Sequence, residues 1–123
     1  SLVKSVKAGQ IAGILPDQVP TAGASGENVE FMGNLCFTGT LSSNIIRRTG
    51  ALAVFGFAQR ISGGFQIRYL PAPDKIYSKD ISESLSALNT GVEKCISYCP
   101  EQYQWEYKRF RTHPRELSQV YKN

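Results

Sequence analysis

The sequence has little of what most catalytic centres need. It holds one histidine, His113, beside Pro114 in a polar stretch, and three cysteines, Cys36, Cys95 and Cys99. An odd cysteine count does not make a complete disulfide framework. Cys95 and Cys99 share one face of a helix, but no histidine or further cysteine stands at zinc-ligand spacing. They read as small core-facing residues of a reducing compartment. No Gly-x-Ser-x-Gly nucleophile elbow occurs, and no glycine-rich loop ends in Gly-Lys-Ser/Thr. No His-x-x-x-x-Asp/Glu pair occurs either, because the residue five positions after His113 is Ser118. No apolar run approaches the roughly 18–20 residues that span a bilayer. The first residues lack the continuous apolar segment of a signal peptide. Internal repeats and low-complexity tracts are absent too.

What is there has a globular composition. The 123 residues, 41% hydrophobic and 20% charged, suit one domain or part of one. The balance of 14 Lys+Arg against 10 Asp+Glu gives a net charge of +4. The positive charge is uneven. Arg47 and Arg48 form one basic pair, while Lys108, Arg109, Arg111, Arg115 and Lys122 gather towards the C-terminus. Such patches suit phosphate-bearing partners, either lipid head groups or nucleic acid, and equally a solvated face.

Periodicity and punctuation place the elements. Residues 1–8 set Leu2, Val3 and Val6 against Lys4 and Lys7 and close at Gly9, the end of an amphipathic helix. A chain that begins inside such a helix reads as part of a longer fold. Residues 10–15 read as a buried strand stopped by Pro16, with Asp17 and Gln18 at its C-terminal end. Residues 19–37 read as a long loop whose Phe31, Met32, Leu35 and Phe37 need apolar cover. Residues 41–49 predict a helix with Thr40 as N-cap, Leu41, Ile45 and Ile46 as its stripe, and Gly50 as its stop. Residues 51–58 predict a second apolar strand running into Gln59 and Arg60. Strand, helix, strand is the rhythm of a parallel sheet. The turn at Ser62, Gly63 and Gly64 and the alternation from Phe65 to Leu70 add an antiparallel hairpin at an edge. The fold class is therefore α/β, with a mixed, mainly parallel sheet and flanking helices. After Pro71 and Pro73, Asp80 and Glu83 make a capping-box-like start. The helix that follows buries Ile81, Leu85, Leu88, Val92, Cys95 or Ile96, and Cys99. Residues 101–110 fit either period; a short helix with Trp105 in the core is the favoured reading.

The remaining chemistry sits at strand ends. Asp17 and Gln18 follow the first strand and Arg60 follows the second. In a parallel arrangement they would share one edge of the sheet, where an acid, an amide and a guanidinium can orient a phosphorylated substrate. A structural Asp17–Arg60 ion pair explains the same pattern, and spacing alone leaves both open.

Five segments occur in order: Leu15-Pro16-Asp17-Gln18, Phe31-Met32-Gly33, Arg47-Arg48-Thr49-Gly50-Ala51, Phe57-Ala58-Gln59-Arg60, and Pro100-Glu101-Gln102-Tyr103-Gln104-Trp105 followed by Tyr107-Lys108-Arg109-Phe110. Together they resemble the C-terminal half of the lipid A biosynthesis acyltransferases of the lauroyl/myristoyl type. The resemblance covers residues 1–112 as the C-terminal part of one acyltransferase domain, and leaves 113–123 as a polar tail. It implies an incomplete fold similar to the glycerophosphate acyltransferases. It implies transfer of a fatty acyl chain from acyl carrier protein to a hydroxyl of a lipid A precursor, at the cytoplasmic face of the bacterial inner membrane, with no cofactor and no nucleic acid. The family's His-x-x-x-x-Asp/Glu would lie upstream of Ser1, so this chain alone is expected to be inactive. By the same resemblance Asp17, Gln18 and Arg60 are the expected substrate-binding residues. Lys108, Arg109 and Arg111 are expected contacts for head groups or the acidic carrier. Val54-Phe55-Gly56 stands where the family usually has a proline, and Gly39 and Thr40 replace a more apolar segment. A second reading, from another class, is a small non-catalytic basic module that binds anionic lipid or nucleic acid through its C-terminal basic and aromatic residues.

Overall fold

Asp80 starts the longest helix of the chain in the computed structural model, which describes residues 1–110. Its carboxylate accepts a hydrogen bond from the Glu83 N–H at 3.2 Å, satisfying one of the helix's orphan donors. The full order is α1 (Leu2–Lys7), β1 (Gly26–Phe31), β2 (Asn34–Gly39), α2 (Leu41–Thr49), β3 (Val54–Ile61), β4 (Gly64–Pro71) and α3 (Ile81–Tyr98), with 3-10 turns at Asp74–Tyr77 and Pro100–Gln102. The architecture is a small α/β fold. Among the described residues the strands form two antiparallel two-stranded sheets, β1–β2 and β3–β4.

The β3–β4 hairpin pairs Ile61 with Gly64 across Ser62 and Gly63, as the alternating sequence predicts. The helices α2 and α3 also fall where periodicity puts them. Gly50 caps α2 in the left-handed region, φ 68°, and its N–H donates to the Ile46 carbonyl. Thr40 stands at the N-cap of α2, yet its side chain makes no capping bond there; its hydroxyl accepts from Asn44 instead.

Three expectations fail. Residues 10–15 form no strand, and Ile11 is 99% exposed. An apolar run becomes a buried strand only if a neighbour supplies ladder partners, and none of the described residues does so. The parallel pairing expected between 10–15 and 51–58 is therefore not seen. The second correction concerns the stretch 19–37, read as loop: its residues 26–37 form most of the β1–β2 hairpin. Met32 and Gly33 both adopt positive φ, 51° and 80°, the signature of a two-residue type I′ turn. Methionine is a costly choice there, and the Met32 N–H is held at 2.6 Å by Glu93 of α3. Third, residues 103–110 run as turns rather than a helix. Trp105 is 51% exposed rather than buried. Its indole N–H donates to the Pro100 carbonyl at 2.6 Å, and its ring meets that of Tyr103 edge-on at 4.8 Å.

The core lies where α3 covers both hairpins. Val29, Ile76, Leu85, Ala87 and Leu88 form one buried cluster, and Phe31, Cys36, Val92 and Ile96 another, with Phe55 of β3 packed against both. Each fully buried large aliphatic side chain contributes about 1.5–3 kcal/mol. Gly91 lets β3 approach: a Cβ added there would sit 2.3 Å from Phe55 Cε2. Buried polar groups are paired. Ser84 donates to the Ile76 carbonyl at 2.7 Å and meets Ser43 of α2 at 2.6 Å. Asn89 of α3 donates to the Glu30 carbonyl of β1 at 3.2 Å and to Thr38 Oγ1 of β2 at 3.1 Å. These contacts fix the register of α3 on its neighbours.

Candidate functional site

An open cleft of about 730 Å³ runs between residues 10–17, α2, β3 and α3. Most of its wall is apolar, including Ile14, Ile46, Phe55 and Val92. One end is polar. Asp17, Cys99, Gln102 and Tyr103 line the cleft there.

Local sequence explains this convergence. Pro16 ends the apolar run at 10–15 and leaves Asp17 half-buried on the cleft wall. The next residues are tied down at long range, because the Val19 N–H donates to Tyr107 Oη at 2.8 Å. Pro100 ends α3 and begins the 3-10 turn that turns Gln102 back to β3. The Gln102 carboxamide then pairs with both backbone groups of Arg60. Its Oε1 accepts from the Arg60 N–H at 2.7 Å, and its Nε2 donates to the Arg60 carbonyl at 3.0 Å. Glu101 accepts from the Cys99 thiol at 3.1 Å. Glu101 and Gln102 thus fix the local fold through hydrogen bonds.

Electrostatics tie the same residues together. Burial pushes the Tyr103 phenol up to about 12, and the negative charge of Asp17 adds to the rise. The Cys99 thiol is raised by burial and by Glu101, against the opposing charge of Arg60. A backbone N–H, then the Cys99 thiol, holds the Glu101 carboxyl below the usual range. Asp17 thus lies near enough to Tyr103 for its charge to act on the phenol, and Gln102 holds the backbone of Arg60, which is not itself part of the cleft wall. Among the described residues no hydrogen bond or ion pair joins the Asp17 and Arg60 side chains, so the ion-pair reading of the two has no contact behind it. Gln18 is exposed and lies off the cleft wall. An acid and an amide beside a phenol that stays protonated, with the exposed Arg60 tied to that amide through its backbone, can orient a polar or phosphorylated group.

The basic C-terminal segment divides. Lys108 is exposed, and Arg111 lies outside the described residues, as do His113, Arg115 and the tail 113–123. Arg109 corrects the expectation of a head-group contact: it is only 3% exposed. Its guanidinium donates to the Phe37 carbonyl at 2.7 Å and to Thr38 Oγ1 at 3.3 Å, and stands 5.8 Å from the Phe31 ring centroid. Arg109 locks the C-terminal segment onto β2. Clustering of basic residues in sequence gave no sign of this, since the interior partners are a backbone carbonyl and a threonine hydroxyl of β2. Strand-end reasoning missed Cys99, Gln102 and Tyr103 of the cleft wall, although Gln102 and Tyr103 stand inside the Pro100-Glu101-Gln102-Tyr103 motif.

The cysteines stay apart. Cys36 and Cys99 are buried, Cys95 is half-buried, and all three are free thiols. Burial pushes Cys36 up to about 11 and also raises Cys95. Among the described residues no group of histidine, cysteine, aspartate and glutamate could hold a metal ion. Nor is any described helix long and apolar enough to cross a membrane.

Comparison with known proteins adds two findings. Residues 1–112 match the family described as bacterial lipid A biosynthesis acyltransferase. The chain is also 32% identical over 123 positions to the lipid A biosynthesis lauroyltransferase of Escherichia coli strain K12, a match that covers 98% of this chain and 40% of that protein. The chain therefore spans well under two thirds of the length of this curated relative.

Proposed function

Since the chain belongs to the bacterial lipid A biosynthesis acyltransferase family, we propose that it forms the acceptor-holding part of an enzyme that moves a fatty acyl chain onto a hydroxyl of a lipid A precursor. The observation that carries this reading is the polar end of the cleft, where Asp17 and Tyr103 share the wall and Gln102 binds the backbone of Arg60. Arg60 offers an exposed guanidinium to a phosphate. Asp17 and Gln18 offer an acceptor and an amide to sugar hydroxyls or to the groups that position them.

In this reading the donor is an acyl thioester on acyl carrier protein. A histidine supplied by a part of the enzyme outside this chain takes the proton from the acceptor hydroxyl. The oxygen attacks the thioester carbonyl, the C–S bond breaks, and the carrier thiol leaves with a proton. The residues of this chain bind and orient; none of them performs that proton transfer. The enzyme works at the cytoplasmic face of the inner membrane, where Lys108 and Arg111 face anionic head groups or the acidic carrier. A mainly parallel sheet of the glycerophosphate-acyltransferase kind is completed by chain that this sequence does not include. The alternative of a non-catalytic basic module loses support at Arg109, which is committed to the interior.

The test uses the family-length protein. Asp17→Asn is expected to lower acyl transfer by about 10²-fold with thermal stability unchanged, in line with the loss of one positioning group. The 123-residue chain alone is expected to transfer nothing. Full activity in Asp17→Asn, or transfer by the isolated chain, would refute the proposal.

A further inference from the structure

One wall of the cleft is the edge of a β-strand. The double hydrogen bond from Gln102 shows that the N–H and carbonyl of Arg60 point away from β4. In an antiparallel ladder that direction alternates, so the same groups of Ala58, Gly56 and Val54 also point away from β4. All three residues line the cleft. Among the described residues these outward groups of Ala58, Gly56 and Val54 have no hydrogen-bond partner. Gln102 already occupies, at Arg60, the position of a neighbouring strand.

From this geometry we propose that the cleft-side edge of β3 accepts a β-strand from the part of a family-length protein that this chain does not cover. Three observations favour that occupant. The chain amounts to 40% of the length of its E. coli relative, so a large complement is available. The edge from Val54 to Ala58 carries no charge and no proline, the devices that natural proteins use to keep an edge unpaired. The opposite strand does carry them, with Arg68 and Pro71 on β4. The neighbouring residues are also apolar and uncovered: Ile11 is 99% exposed, Leu52 87% and Val54 61%. A contiguous apolar surface of this kind marks an interface. The incoming strand ends at Arg60, where Gln102 fills the next pairing position, so the added pairing is short. The proposal rests on family membership and on the strand edge, and not on the role of Asp17.

Amide hydrogen exchange tests it without reference to activity. In the isolated chain at low concentration the Gly56 and Ala58 amides are expected to exchange like open backbone. In the family-length protein they are expected to slow by at least about 10²-fold. Equally fast exchange in both proteins would overturn the proposal. Protection that rises with concentration in the isolated chain, with a dimer in sedimentation, would also overturn it by assigning the edge to a second copy. Ala58→Pro supplies a second readout. Its missing N–H faces the cleft, so the β3–β4 ladder keeps its bonds. The melting temperature should fall in the family-length protein and stay nearly constant in the isolated chain; an equal change in both would refute the assignment.

Discussion

Gly91→Ala sets two effects of opposite sign against each other at the point where α3 meets β3. Gly91 lies well inside an α-helix. On propensity alone, alanine there should stabilise the protein by about 1 kcal/mol. Packing argues the other way. The new methyl would lie 2.3 Å from Cε2 and 2.4 Å from Cζ of Phe55, far inside van der Waals contact. Phe55 cannot swing freely, because it packs against both buried clusters. Forcing extra volume into such a site costs about 1–3 kcal/mol, and more where backbone must move. At a closest approach this short the upper part of that range applies, so Gly91→Ala is expected to destabilise the chain by about 1–2 kcal/mol net. Urea denaturation at constant m-value would measure it directly. A double-mutant cycle with Phe55→Leu isolates the cause, because shortening the ring should make Gly91→Ala neutral or stabilising. If Gly91→Ala alone raises stability, helix propensity has won and the close approach does not constrain β3.

Two further outcomes follow from buried groups. Arg109→Met should destabilise the fold by about 2–4 kcal/mol, since it removes two charge-assisted hydrogen bonds and strands the Phe37 carbonyl. Denaturant midpoints would show this, whereas a purely head-group role would leave them unmoved. Cys36 and Tyr103 both bind their protons more tightly folded than unfolded, with values pushed up from 9.0 to about 11 and from 10.0 to about 12. Their contribution to stability is therefore complete below pH 9 and is lost as pH climbs towards about 11 and 12. Melting temperatures measured from pH 8 to 11 should fall over that window, and a flat profile would refute the burial of both groups.

The helices and the β3–β4 hairpin were legible because each carries its own local instructions. Gly50 stops α2, Asp80 starts α3, and the Ser62–Gly63 turn sets the hairpin register. The β1–β2 hairpin was hidden by its turn: Met-Gly at positive φ lacks the usual asparagine or aspartate signal, and Glu93, distant in sequence, holds the Met32 N–H. Residues 10–15 misled for the converse reason. An apolar run states a need for cover, not where the cover comes from. Within the candidate site, strand-end reasoning picked out Asp17, which does stand on the cleft wall although residues 10–15 form no strand, while Arg109 could not be placed. Its burial depends on the Phe37 carbonyl and the Thr38 hydroxyl of β2, which sequence spacing does not reveal.

The bond between the Val19 N–H and the Tyr107 phenol links positions 88 apart in the chain. It works as a clasp, fastening the stretch that carries Asp17 to a segment near the far terminus. Tyr107→Phe would unmoor that acidic arm without touching any residue of it. A variant of this kind that no longer engages its acceptor could then be mistaken for one that had lost a binding residue, when only the fastening had gone.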